Sequence, residues 1–347
     1  MPTYPHHESL RLVNFTAFAD ASFAFSPTVN IFVGENGTGK THLMKVLYVV
    51  QYAHIEGRRS TYDALEGIVA SVFQLPSVVG MSQTSALVRL NPYINGGSVR
   101  GVFDRKAWEF GILADSDWGH RLQPNGAFAA MPRPVFIPAI DMMAHTRRFL
   151  STYDNYEIAF DQTHRDIVSL LLSPESRTAN GANAAQAALA PLLGGEIVEE
   201  SEQFYLKTAH GRQPMQLVAE GIRKIATLWQ LLRNGFLRPG DTLFWDEPEA
   251  NVNPKLRDEI VSALLALSRS GVQIFLATHS YVILKEFDLQ AAASDAVRYF
   301  ALETTENGTV ARATDDYAEL SPNPIAEQFD RLYDLELTRA TGRKRRA

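Results

Sequence analysis

The sequence predicts an α/β fold in which a mixed β-sheet is flanked by helices and interrupted by a large inserted α+β lobe. Three observations predict it. A short apolar run, Val29 to Val33, enters a glycine-rich turn and then a helical pattern. A second run, Leu243 to Trp245, ends in two acids, and a third, Val272 to Ala277, follows an amphipathic helix and ends in Thr278-His279-Ser280. Short apolar runs alternating with helices read as buried parallel strands, because helices on both faces hide that much apolar surface. The chain has 347 residues, 46% of them hydrophobic and 21% charged, which leaves room for one large or two modest globular domains.

The first element is the most specific. Gly34-Glu35-Asn36-Gly37-Thr38-Gly39-Lys40-Thr41 fits G-x-x-x-x-G-K-[ST] without a mismatch. It sits between a strand and a helix patterned by Leu43, Met44, Val46, Leu47 and Val50. Glycines let the amides of Gly34, Asn36, Gly37, Thr38 and Gly39 curl around a β-phosphate at the positive end of the helix. Lys40 is expected to reach the β- and γ-phosphates, and the Thr41 hydroxyl to ligate Mg²⁺.

The run Leu243-Phe244-Trp245 then delivers Asp246-Glu247-Pro248 at its C-terminal end. Asp246 is expected to hold Mg²⁺ directly or through water, and Glu247 to polarise the water that attacks the γ-phosphate. Asn253-Pro254 starts a helix, with a capping side chain before a proline at the first helical position. Leu256, Ile260, Leu264 and Leu267 form its apolar stripe, and Ser270-Gly271 ends it. Two strands joined by a helix form a βαβ unit, so His279 should lie beside Asp246 and Glu247, within reach of a γ-phosphate. Upstream, Ala219-Glu220-Gly221 opens a helix whose Ile222, Ile225, Ala226, Trp229 and Leu232 share one face. Taken alone this is an ordinary helix start; the glycine also offers amide donors to an anion.

Together these motifs resemble the ABC-type ATPases, and more narrowly the soluble branch that includes SMC-type, RecF-type and OLD-like ATPases. Gly34 to Thr41 is similar to the Walker A loop and Leu243 to Glu247 to Walker B with its glutamate. Glu249 to Pro254 is similar to the D-loop, His279 to the switch histidine, and Ala219-Glu220-Gly221 to the signature. The motifs cover roughly residues 8 to 50 and 215 to 290. The resemblance implies a phosphate-loop fold of ABC-ATPase type, ATP and Mg²⁺ as cofactors, and a head-to-tail homodimer that sandwiches ATP. Walker A and B of one chain would face the Gly221 signature of the other. Catalytic roles then fall to Glu247, Lys40 and His279. Nucleotide contacts would come from the phosphate loop and from Ala219, Glu220 and Gly221 in trans, and metal contacts from Thr41 and Asp246. The family usually carries serine where this chain has Ala219, so the hydroxyl contact to the partner's γ-phosphate is missing. The Q-loop residue is open among Gln51, Gln74 and Asp141.

The core is expected over residues 1–55 and 214–315, the inserted lobe over 56–213, and a C-terminal helix with a basic tail over 316–347. Within the lobe, Ala86 to Leu90, Ser98 to Phe103 and Ala107 to Leu113 read as strands separated by turns at Asn91-Pro92 and Asn95-Gly96-Gly97. Met131-Pro132-Arg133-Pro134 breaks the chain before the strand Val135–Ile137, about Met142 to Leu193 reads as mainly helical, and Ala179 to Ala190 fits either helix or loop. Glu196 to Leu206 and Pro214 to Val218 look like a returning hairpin. Val297 to Thr304 and Thr309 to Ala313 form another, with a helix from about Ile325 to Leu337. No heptads persist, so a long coiled coil is not expected.

Composition sets the outer bounds. There is no cysteine, which excludes thiol chemistry, and no uncharged run nears the roughly 18 residues of a membrane span. A cytoplasmic protein with no membrane association is expected. The net charge of −6 gives no global field for nucleic acid. Arg147-Arg148 and the tail Gly342 to Arg346 are local basic features, each readable as a solvated segment or a nucleic-acid contact. The expected function is an Mg²⁺-dependent ATPase that controls a separate effector or nuclease, on family resemblance in prokaryotic anti-phage defence. A DNA-repair ATPase that clamps DNA and an ATP-gated scaffold with little turnover are the alternatives.

Overall fold

The computed structural model describes residues 4–56, 68–69, 71–74, 97–112, 132–176 and 183–341. The N-terminal part holds β1 (His7–Phe15), β2 (Phe18–Ala24), β3 (Val29–Gly34), α1 (Lys40–Glu56), β4 (Gly97–Phe103), β5 (Lys106–Ile112) and β6 (Pro134–Ile137). The middle holds α2 (Phe149–Asn155), α3 (Gln162–Leu171), α4 (Asn183–Leu189), β7 (Glu196–Glu200), β8 (Gln203–Thr208) and β9 (Gly211–Pro214). Then come α5 (Glu220–Arg233), β10 (Thr242–Asp246), α6 (Arg257–Arg269), β11 (Gln273–Ala277), α7 (Tyr281–Gln290), β12 (Val297–Thr305), β13 (Gly308–Thr314) and α8 (Pro324–Thr341). The expected strand Ala86–Leu90, the turns at Asn91-Pro92 and Asn95-Gly96, and the tail Gly342–Arg346 lie outside the described residues, as do residues 177–182 of the alanine-rich stretch.

The main sheet is six-stranded, in the order β13-β12-β3-β11-β10-β6, and only β13 runs antiparallel to its neighbour. A four-stranded antiparallel sheet, β2-β1-β4-β5, lies across α1, and β7-β8-β9 form a third. The long segment between the two halves of the nucleotide motif therefore contributes to both larger sheets, through β4 and β6. No helix among the described residues is long and apolar enough to cross a membrane.

Strand periodicity assigns each main-sheet residue to one of two cores. Val29, Ile31, Leu243, Trp245, Ile274, Leu276 and Tyr299 face the layer of α3, α4, α5, α6 and α7. Phe32, Phe136, Phe244, Phe275 and Phe300, one from each of five adjacent parallel strands, face α1 and the antiparallel sheet. They form an aromatic row. Phe136 stacks on Phe244 at 6.1 Å, Phe244 on Phe275 at 5.1 Å, and Phe275 on Phe32 at 6.3 Å. A one-residue slip of any strand would send its phenylalanine to the other face, so the row fixes register. From Leu43 to Gln51 every residue of helix α1 but the half-buried Lys45 is buried, because sheets cover it from both directions.

Two local expectations are corrected. The third strand of the small sheet is β9, with Pro214 opposite Tyr205, and not Pro214 to Val218. Pro214 has no N–H for the ladder, and the buried Met215 starts a 3₁₀ turn that redirects the chain toward α5. On α5 the deeply buried face is Gly221, Lys224, Ile225, Leu228, Leu231 and Leu232, while Ile222 and Trp229 are only partly covered.

His7 joins the two larger sheets. Its backbone exchanges hydrogen bonds with the Gln273 side chain, and its Nε2 lies 3.1 Å from Gln51 Oε1. Its ring meets Phe103 edge-on at 4.8 Å. Complete burial pulls its pKa down to about 4. The imidazole is therefore neutral in the fold but accepts a proton below about 6.5 once unfolded. Its contribution to stability is whole above pH 6.5 and is lost as pH falls toward 4, a swing of roughly 3 kcal/mol. In denaturant melts His7→Gln should flatten the stability profile between pH 6.5 and 4 relative to the wild type. Parallel profiles would contradict this.

Candidate active site

Parallel pairing of β3, β11 and β10 brings their C-terminal ends to one edge of the sheet. The loop Gly34–Gly39 leaves β3 there, Asp246-Glu247 leave β10, and Thr278-His279 leave β11. Two of the glycines are required by close approach. A Cβ on Gly34 (φ 157°) would lie 2.4 Å from the Leu302 carbonyl, and one on Gly39 (φ 91°) 2.8 Å from the Phe18 ring. Gly37 (φ 82°) faces open space. Thr38 turns its hydroxyl inward to the Glu35 carbonyl (2.9 Å) and so braces the loop.

A cavity of about 230 Å³ opens over this edge, lined by Asn36, Gly37, Gly39, Lys40, Thr41, His42, Asp246, Glu247 and His279. Larger hollows, about 580 Å³ on the antiparallel sheet and about 600 Å³ beside Phe25 and Phe287, contain none of these residues. The chemistry marks the smaller one. Across it the Thr41 hydroxyl donates to Asp246 Oδ2 at 2.8 Å, joining residues far apart in the chain. Adjacent oxygens around octahedral Mg²⁺ are about 2.9 Å apart, since each bond is roughly 2.0–2.1 Å, so this pair fits two neighbouring metal positions. The Lys40 ammonium donates to the carbonyls of Gly34 (2.9 Å) and Glu35 (2.8 Å).

Burial dominates the electrostatics. It pushes the Asp246 carboxyl up to about 6 against the Thr41 hydrogen bond, with Glu247 adding repulsion. It pulls the Lys40 ammonium down to about 8, while Asp246, Glu247 and Glu249 oppose the fall. Burial, and next the Lys40 charge, lowers His279, so its imidazole is neutral near pH 7. Its Nε2 stands 3.7 Å from Glu247 Oε1, too far for a hydrogen bond. Glu247 itself sits in the left-handed region (φ 48°), a conformation that costs of order 1–3 kcal/mol in a residue with a side chain. Its N–H donates to the Ala277 carbonyl (3.0 Å), and its carbonyl accepts from Lys224 Nζ (2.7 Å).

The signature residues lie outside this cavity. Ala219 precedes α5 and offers no side-chain cap. Glu220 accepts from Asn251 Nδ2 at 2.9 Å, and a Cβ on Gly221 would meet Val252 Cα at 3.2 Å, so the helix start packs on the turn after Glu247. Of the open Q-loop candidates, Gln51 is occupied within the core by His7 and the Pro132 carbonyl, and Gln74 is exposed. Asp141 receives Arg223 Nε at 2.6 Å, which links the loop after β6 to α5.

Two residues of the site are not apparent as such in the sequence. Glu249 Oε1 accepts from the Thr278 hydroxyl (2.8 Å) and the His279 N–H (2.7 Å), so it ties the turn after β10 to that after β11. Lys224 is 2% exposed. The available signal was its position one helical turn before Leu228 and two before Leu231, a charge on an apolar face.

Two family models match the chain. One, described as "AAA domain, putative AbiEii toxin, Type IV TA system", covers residues 158–285, and the other, "AAA domain", covers 9–90. The DNA replication and repair protein RecF of Lysinibacillus sphaericus is 38% identical over 58 residues, 17% of this chain and 15% of that protein. The match thus spans about 15% of the curated relative's length. The Smc head domain of Pyrococcus furiosus, solved with an extended coiled coil bound to the C-terminal domain of ScpA, superimposes with a TM-score of 0.53 at 12% identity. It covers 96% of this chain and 100% of that one. An SmcHead bound to the C-winged helix domain of ScpA gives a TM-score of 0.53 at 12% identity over 89% of this chain and 97% of that one. The chain has the fold of an SMC/RecF-like ABC ATPase. In this ABC-type fold the cavity lies where strands β3, β10 and β11 end, and the AAA-domain matches span both the Gly34–Thr41 loop and the β10–β11 region.

Proposed function

We propose that this chain binds ATP with Mg²⁺ in the cavity between Gly34–Thr41 and Asp246, and hydrolyses it as a head-to-tail homodimer. The contact that carries the reading is the 2.8 Å hydrogen bond from Thr41 to Asp246, which joins the phosphate loop to the acid of β10. Thr41 and Asp246 would hold the metal, which when bound neutralises charge on the phosphates. Lys40 would exchange its two loop carbonyls for phosphate oxygens. Glu247, directed into the cavity by its left-handed backbone, would orient and deprotonate the attacking water. A neutral His279 beside it would donate to the γ-phosphate.

The dimer is part of the proposal because residues 219–221 do not line their own chain's cavity, and Ala219 at that helix start is exposed, open to a second nucleotide. Light scattering should find dimer with Mg²⁺–ATP and monomer without nucleotide. A monomer at saturating ATP would argue against the sandwich.

The biological setting we propose is control of a separate effector or nuclease in anti-phage defence, supported by the family description that includes a putative AbiEii toxin. A partner protein is also suggested by the ScpA fragments bound to the Smc heads. The RecF similarity favours a second reading, an ATPase that clamps DNA during repair. Turnover stimulated by duplex DNA and suppressed by salt would support that alternative.

A further inference from the structure

Helix α5 carries a buried cation whose contact is with the catalytic turn. Lys224 lies on the same face as Ile225, Leu228 and Leu231, all inaccessible to solvent, and is itself 2% exposed. An ammonium is expensive to bury and persists only where it has a partner. Its Nζ donates to the Glu247 main-chain carbonyl at 2.7 Å. Burial lowers its pKa, while the carboxylates of Glu220, Glu249, Asp141 and Glu247 favour the charged form.

We propose that Lys224 is a positioning residue for Glu247, holding the carbonyl of that residue so that its carboxylate stays directed into the nucleotide cavity. The inference rests on the reading of Glu247 as the residue that activates water. Glu247 occupies a left-handed backbone conformation at φ 48°, which must be enforced by its surroundings. One restraint is the N–H bond to Ala277; the carbonyl is held by two donors, the Ala250 N–H at 3.1 Å and, at the shorter 2.7 Å, Lys224 Nζ. Without the ammonium the carbonyl keeps only the longer bond from the Ala250 N–H (3.1 Å), and the peptide after Glu247 is held less tightly. The carboxylate then leaves its attacking geometry without any change at the phosphate loop. Because the exposed Ala219 precedes the helix that carries Lys224, whatever docks on that helix start is little more than one turn from the restraint on Glu247.

The test uses the full chain and compares Lys224→Met with Glu247→Gln in ATP affinity and single-turnover rate. Lys224→Met should slow turnover about 30- to 100-fold, the scale of a misplaced catalytic group, with ATP affinity within about threefold of wild type. Lys224→Arg, which keeps a charged donor, should recover most of the rate. If Lys224 acts through Glu247, adding Lys224→Met to Glu247→Gln should cost little more. The proposal is overturned by a wild-type rate in Lys224→Met beside a stalled Glu247→Gln, or by equal losses in both backgrounds. A wild-type rate in Glu247→Gln would overturn the reading of Glu247 and this proposal together. Should Lys224→Met not fold, Lys224→Gln and Lys224→Arg carry the same comparison.

Discussion

Glu247→Gln should lower ATP turnover by about 10²- to 10⁴-fold while ATP still binds. The change removes the basic oxygen and keeps the shape. The restraints on residue 247 are to its backbone, from Ala277, Ala250 and Lys224, so the amide would take the place of the carboxylate. His279 does not depend on a hydrogen bond to it, at 3.7 Å. Nucleotide that binds and is not hydrolysed keeps the dimer together, so this variant should accumulate dimer in ATP beyond the wild-type level. Rapid-quench kinetics measure the first effect and light scattering the second. An unchanged turnover rate would remove Glu247 from the role of base.

Lys40→Ala should act on the ground state instead. Charge-assisted hydrogen bonds contribute roughly 1.5–3 kcal/mol each, so losing the lysine should weaken ATP affinity about 100-fold in calorimetry. A structural contribution is expected as well, because Lys40 braces the carbonyls of Gly34 and Glu35 without nucleotide. Lys40→Arg separates the two: the charge is kept, but the wider guanidinium is confined in a space made for an ammonium that is 6% exposed. Unaltered affinity in Lys40→Ala would be incompatible with phosphate binding at this loop.

The two variants differ in legibility from the rest of the fold. Residues 34–41 were readable because a phosphate loop needs glycine at fixed positions, and glycines at 34 and 39 meet Leu302 and Phe18 too closely for any side chain. The acids of β10 and the histidine after β11 were readable because βαβ handedness leaves one arrangement of strand ends. The aromatic row was not, since Phe32, Phe136, Phe244, Phe275 and Phe300 are scattered in the chain and meet only through strand order. The pairing of β4 with β1 is likewise a non-local choice. Lys224 does not stand out in the sequence, because its cost of burial is offset by a carbonyl that the sequence does not place beside it. The α5 stripe was misplaced for the same reason: omitting a lysine from the apolar face rotates the face toward Ile222 and Trp229.

A structure of the purified protein with Mg²⁺ and a nonhydrolysable ATP analogue tests the nucleotide site most directly. The triphosphate should lie along the amides of residues 36 to 39, with the metal between the Thr41 hydroxyl and the Asp246 carboxylate. An analogue bound in either of the larger hollows, or a metal held away from Asp246, would contradict it.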